Sequence, residues 1–195
     1  MSYAPHTLSS SLHMPFEKRM FLENIINAHE ARNAGRNYNP NILFECADME
    51  TASFLDGNDD KEEVIYYFFG ASREYLGSTA SDMSAKSTIV MEDIELIVKN
   101  SKAATKALNI FALAKNIESA KIHVLNSDGE ISKPRFIYSF ENVKVSAIYD
   151  LGDGNYSYIQ LKTTRVNKEH TLRDQAAAEQ GTVAATVDLT KGASE

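Results

Sequence analysis

The stretch that decides the fold is FIYSFENVKVSAIYDLGDGNYSYIQLKTTRV, residues 136–166. It reads as two long β-strands around the turn Gly152-Asp153-Gly154, because aromatic and aliphatic residues alternate with Ser, Thr, Lys and Gln on either side of it. Alternation at period two puts one residue class on each face of a sheet. The hairpin therefore has an apolar face to bury and a polar face to leave wet, with no catalytic signature on either. Asp150 and Asp153 flank the turn and read as turn formers rather than as an acid/base pair.

Outward from this hairpin, most of the chain from Asn41 onward continues the strand pattern. NILFECA and EEVIYYFFG are two strands separated by the acidic loop DGNDDKE. GASREYLGSTASDMSAK, Gly70 to Lys86, is small and polar with little periodicity and reads as a long mobile loop. STIVMEDIELIVKN reads as a third strand. Its apolar phase slips between Met91 and Ile94, which suggests a β-bulge at Glu92-Asp93. SKAATKALNIFALAKN is the one helix of this part, apolar on several sides and so expected to be covered on more than one. SAKIHVLN, the hairpin and GTVAATVDL, with Val183, Ala185, Val187 and Leu189 in strict alternation, complete about seven strands. The economical arrangement is mainly β: an antiparallel barrel or sandwich with one flanking α-helix, since closure removes exposed strand edges.

Residues 1–39 differ in character. PFEKRMFLENIINAHEARNAG has a Pro at its start, a Gly at its end and no β-like alternation, predicting a helix over 15–34 with Met14, Lys18, Phe21, Ile25 and Ala28 on one face. The sequence thus divides into an N-terminal helical extension (1–39), a β-barrel domain (40–191) and a short tail (192–195). A helix of that length is not stable alone in water. It is expected to dock through Phe21, Leu22 and Ile25.

Charge and chemistry exclude more than they indicate. With 20 Lys+Arg against 27 Asp+Glu, a formal charge of −7 and no basic cluster, nucleic acid and anionic membranes are poor partners. No apolar run has the length of a transmembrane helix, and the N-terminal residues lack the pattern of a secretory signal. Cys46, the single cysteine, reads as a small buried thiol. Asp56, Asn58 and Asp60 imitate the start of a calcium loop, but Lys61 stands where that loop needs Gly and Tyr67 where it needs Glu. The histidines show no ligand spacing and read mostly as surface residues. No nucleophile elbow, phosphate loop or dinucleotide fingerprint occurs. The expectation is a protein that is not an enzyme and holds no metal or cofactor. Tyr66, Tyr67, Phe68, Phe69, Phe136, Tyr138, Phe140, Tyr156 and Tyr158, without interleaved Lys and Arg, read as core and subunit-contact residues rather than as a base-stacking platform.

The order of these elements resembles the Hcp (haemolysin co-regulated protein) family, the inner-tube protein of bacterial type VI secretion systems. The resemblance rests on ILFECADMETASFLDGNDDKEEVIYYFFGASREY, with its charged turn and aromatic second strand; on STIVMEDIELIVKNSKAATKALNIFALAKNIESAKIHVL; on FIYSFENVKVSAIYDLG, with an Asn at its centre; on YSYIQLKTTRVNKEH; and on QGTVAATVDLTKG. It runs from Asn41 to Leu189, and residues 1–39 are an addition to the family pattern. It implies a β-barrel whose copies form hexameric rings, the rings stacking into a tube driven by a contractile sheath. It implies partners in the sheath, the spike and baseplate, and effector cargo, and a chain made in the bacterial cytoplasm and secreted without a cleaved signal peptide. The loop Gly70–Lys86 would reach the adjacent ring through Arg73, Tyr75, Leu76 and Met83. Two other readings stand beside it: the tail-tube protein of a phage or related contractile particle, and a monomeric β-barrel that binds sugar or peptide.

Overall fold

The computed structural model describes residues 14–34, 41–52, 59–75, 87–125, 134–173 and 179–189. Two compact units are distinguished, Met1–Asn37 and Tyr38–Glu195. The first holds helix α1 (Phe16–Asn33), entered from Pro15 and closed by the Ala34 N–H donating to the Glu30 carbonyl at 2.9 Å. An ion pair of Arg19 with Glu23, one turn apart, lies on its surface.

The second unit is mainly antiparallel β. In chain order its described strands are β1 (Ile42–Glu45), β2 (Lys61–Phe68), β3 (Ala71–Tyr75), β4 (Ser87–Met91), β5 (Ile94–Lys99), β6 (Ile117–Val124), β7 (Phe136–Leu151), β8 (Tyr156–Lys162), β9 (Arg165–Arg173) and β10 (Glu179–Asp188), with helix α2 (Lys102–Ala112) between β5 and β6. Eight strands form one sheet in the order β10-β9-β7-β6-β1-β2-β5-β8, and β8 pairs back onto β7. That last pairing closes β7, β6, β1, β2, β5 and β8 into a barrel and leaves β9–β10 as a wing on its side.

Closure depends on β7 changing partner along its length. Phe136–Glu141 pairs with β9 in register, from Phe136↔His170 to Glu141↔Arg165, and Lys144–Leu151 then pairs with β8, beginning at Lys144↔Lys162. Between the two runs sits Asn142, in the left-handed region at φ 52, a conformation that a short polar side chain tolerates better than most. The quoted hairpin is thus a single ribbon bent at its middle. Its turn takes three successive positive φ values, 56 at Gly152, 53 at Asp153 and 85 at Gly154. At Gly154 nothing lies within 4 Å of where a Cβ would stand, so φ rather than crowding selects glycine there.

The barrel interior is filled by Phe44, Val64, Leu96, Ile122, Phe140, Ile159 and Leu161 among others. Helix α2 packs against β7 and β8 and against the 3-10 turn Ala47–Met49. Its buried side is Ala103, Ala104, Ala107 and Ile110, and the three alanines let the helix approach closely. Ser101 caps it by accepting from the Ala104 N–H. Glu50, in the left-handed region at the end of the 3-10 turn, pairs with both Lys102 and Lys106 and fastens the first turns of α2. These hydrogen bonds and charges hold the Glu50 carboxylate down at about pKa 2.

Four expectations are corrected. Ten strands are described rather than about seven. The third strand is two, β4 and β5, and the phase slip at Glu92-Asp93 marks the point where the chain leaves the barrel, not a bulge within one strand. The start of the loop Gly70–Lys86 is strand: Ala71–Tyr75 pairs with Ser87–Met91. Among the described residues α2 is covered on one side only, since Leu108 and Phe111 are exposed.

Phe140→Ala, which empties a fully buried ring site, should destabilise the domain by about 3–5 kcal/mol in chemical denaturation. Glu50 has a depressed folded-state pKa, so its contribution is present above its ordinary value of 4.5 and is lost as pH falls toward 2. Glu50→Gln should therefore lower the melting temperature at neutral pH, with the gap to the unsubstituted protein closing over that acidic window.

Candidate assembly surfaces

The first surface is the arm β3–β4. It continues the β2–β5 ribbon past the barrel: Phe68↔Glu95 is the last pair of the wall and Ala71↔Met91 the first of the arm. Gly70 and Glu92 form the joint, with the Glu92 N–H donating to the Gly70 carbonyl at 2.9 Å. A Cβ at position 70 would stand 2.8 Å from Glu92 Oε2, so any larger residue must displace that carboxylate. Asp93 anchors the root: its Oδ2 accepts from Gln160 Nε2 at 2.7 Å on β8 and lies 3.4 Å from Ser146 Oγ in the β7 bulge. Of the residues expected to stack between rings, Arg73 is exposed on β3 opposite Ile89, and Tyr75 pairs with Ser87. Leu76 and Met83 lie outside the described residues.

The second surface is the wing with the strands beside it. On one face Phe136, Tyr138 and Phe140 of β7 run against His170, Lys168 and Val166 of β9. Phe136 stacks on His170 at 4.5 Å, and Lys168 Nζ lies 4.8 Å over Phe136 and 5.2 Å over Tyr138, with the Arg135 guanidinium 5.0 Å from Phe136. The expected lack of cations among the aromatic residues is therefore corrected: Lys168, thirty positions on, is brought over them by the β7–β9 register. Tyr67 and Tyr138 meet at 6.0 Å, and burial followed by that contact pushes the Tyr67 hydroxyl up to about 12.

The opposite face carries polar pairs on five strands, beside the buried Leu43 of β1. Glu45 on β1 pairs with Lys121 and His123 on β6, at 3.1 and 2.8 Å. Arg165 on β9 pairs with Glu141 at 2.9 Å on β7, and Asn167 bonds Thr186 on β10 at 3.0 Å. Among the described strands β10 is the outermost, and its Val183, one of the alternating apolar residues, is 57% exposed.

The third surface is the outer side of α2. Leu108, Phe111 and Leu113 are exposed there. Ala114 follows in the left-handed region at φ 49, where glycine usually ends a helix. Beyond it a cleft of about 150 Å³ is lined by Asp48, Lys106, Asn109, Ile110, Lys115 and Asn116.

The expected docking residues of the extension lie on α1. Phe21 and Ile25 share one face at a spacing of four, Leu22 lies one helical step round, and Phe21 is exposed together with Phe16 and Met20.

The remaining candidates are quickly placed. His123 is buried, an exception to the surface placement expected of most histidines, and His170 is half-buried and stacked on Phe136; His29 lies 3.2 Å from Asn33, and His6 and His13 lie outside the described residues. Cys46 is buried, and burial pushes its thiol up to about 11. Asp56 and Asn58 lie outside the described residues, while Asp60 is paired with Lys61. Among the described residues no group of three or more His, Cys, Asp or Glu could hold a metal ion, and no helix is long and apolar enough to cross a membrane.

No protein-family model matches the sequence, and no curated protein sequence matches it either. Solved structures do match. A type six secretion system protein superposes with a TM-score of 0.67 at 17% identity, over 76% of this chain and 95% of the other. Hcp1 from Salmonella typhimurium gives 0.62 at 15% identity over 76% and 94%. A type VI secretion system effector from Yersinia pestis gives 0.59 at 12% identity over 75% and 98%. The chain has the fold of the Hcp proteins.

Asp93→Ala removes the bond to Gln160 at the root of the arm. It should raise amide exchange in residues 71–75 and 87–91 relative to β7 and β8, read by hydrogen exchange with mass spectrometry.

Proposed function

We propose that this chain is the tube subunit of a type VI secretion system, that six copies close into a ring, and that rings stack into a secreted tube able to carry effectors. The observation that supports this most is the extent of the shared fold: nearly the whole length of each compared structure is matched by this one chain. The surfaces are also those a tube needs. A polar sheet face suits a wet channel or a subunit boundary, and an arm set beyond the barrel suits contact with a neighbouring ring. The partners are then further copies of this chain, a contractile sheath, spike and baseplate proteins, and cargo, with no nucleic acid and no membrane insertion. The function resides in shape and self-complementarity rather than catalysis. A tail tube of a phage or related contractile particle is the second reading, favoured by the same surfaces, and the neighbouring genes separate the two.

Native mass spectrometry at micromolar concentration should give six times 21.7 kDa. A clean monomer would overturn the tube reading in favour of a binding module. Replacing Arg73, Tyr75, Leu76 and Met83 together by Ser should leave the ring and abolish stacking and secretion; unchanged secretion would remove the arm from that role.

The extension, residues 1–39, is in this reading an accessory that docks through Phe21, Leu22 and Ile25 and modulates stacking or cargo entry. Its removal should leave a folded ring of the same subunit number. Phe21→Asp with Ile25→Asp should increase protease cleavage within the segment and change tube length, and the absence of both effects would show it to be a tail.

A further inference from the structure

We propose that the face of the wing bearing Arg135, Lys168 and His170 is a contact surface that receives an acidic surface of a second copy of this chain. The inference rests on the ring reading above and assigns one contact within it.

Strand alternation sorts charge here. The β7–β9 register puts Phe136, Tyr138 and Phe140 with His170, Lys168 and Val166 on one face, and Ile137, Ser139 and Glu141 with Glu169, Asn167 and Arg165 on the other. Both carboxylates of these paired runs therefore lie on the far face. They are engaged there, Glu141 by Arg165 at 2.9 Å and Glu169 by the Asn167 side-chain amide at 3.0 Å.

On the near face three basic side chains gather about one ring. The His170 ring lies 4.5 Å, Lys168 Nζ 4.8 Å and the Arg135 guanidinium 5.0 Å from the centre of Phe136. Arg135 and Lys168 are both exposed, and among the described residues neither makes an ion pair. The aromatic ring attracts each cation without cancelling its charge, so the positive charge of this face is unmatched.

The same face continues across β10, where Val183 stands opposite His170 and Ala185 opposite Lys168. Leu172, Val183 and Ala185 are exposed. An apolar row bordered by unmatched cations has the make-up of a subunit contact, which joins a desolvated centre to a polar rim.

Charge selects the occupant. The whole chain has a formal charge of −7, and the exposed carboxylates of Asp59, Glu118 and Asp153 make no ion pair among the described residues. One chain thus carries cations without counter-charges on the wing and carboxylates without counter-charges elsewhere, and no ion pair joins the two sets within it. Between copies they can meet. A patch that meets a different patch on the next copy is a heterologous contact, the kind that closes into a ring.

The test has two arms, both on the full-length protein. In the first, equal amounts of ordinary and nitrogen-15-labelled chains are mixed, assembled and treated with a zero-length carbodiimide cross-linker, and the products are read by mass spectrometry. Lys168 should be coupled to an Asp or Glu of the other isotopic copy. In the second, Arg135→Glu/Lys168→Glu and Lys168→Met are compared with the unsubstituted protein by native mass spectrometry and light scattering at low and high salt. The charge-reversed variant should raise the midpoint concentration of assembly about tenfold. Lys168→Met, which keeps the stem over the rings and removes the charge, should flatten the salt dependence. An unsubstituted ring in which Lys168 couples only within its own copy or not at all, with both variants assembling unchanged, overturns this inference and leaves the ring reading standing. An unsubstituted protein that stays monomeric overturns both. The cross-link is read on the unsubstituted protein, so it decides the matter even where the charge-reversed variant fails to fold.

Discussion

The architecture depends on one strand serving two sets of partners. β7 is sixteen residues long, and no single antiparallel neighbour spans it: its first half lies between β6 and β9, its second half against β8. Because β8 also pairs with β5, this exchange completes the ring of strands, and because β9 departs where β8 begins, it also generates the wing. The interior that Phe140 and Val143 help to fill exists only while that exchange is held. The left-handed Asn142 is the backbone feature at its centre, and a β-branched residue there would meet the steric cost that such φ values impose.

Two further constraints operate at the margins of the barrel. Asp93 ties the joint of the arm to β7 and β8, so the barrel wall sets where the arm begins. Glu50 does the equivalent for α2. In both cases an acidic side chain at an irregular piece of backbone holds an appended element to the sheet, which is where a closed barrel has no ladder bonds of its own to offer.

What was legible in the sequence is what local pattern encodes. The hairpin at 136–166, the helix after Lys99 and the strand identities of 42–45 and 117–124 follow from alternation and capping. What was not legible depends on register between distant residues. The slip at Glu92-Asp93 is visible in the sequence, but a bulge and a change of sheet produce the same slip, and only pairing with Gly70 distinguishes them. Ala71–Tyr75 carries no alternation, and Ala71, Ser72 and Arg73 are all exposed. Lys168 meets Phe136 and Tyr138, and Glu45 meets His123, only through cross-strand register. The alternation of Val183, Ala185 and Val187 signals a face to be covered, and the sequence alone could not say that the described residues leave it largely open.

The closing strand has a kinetic consequence. The β7–β8 hairpin joins neighbours across a tight turn and can form early, but β1, four residues long, is held by β6 nearly eighty positions away and by β2. Such a pairing gains little until the chain between has already been ordered, so loop-closure entropy opposes it until late. Until it forms, the barrel is an open sheet with apolar interior residues in water, beside a β10 edge that bears no charge from Gln180 to Val187. Uncharged edges of this kind recruit other strands. The nascent chain therefore spends its slowest step in its most adhesive form, which sets a race between intramolecular closure and encounter with other copies.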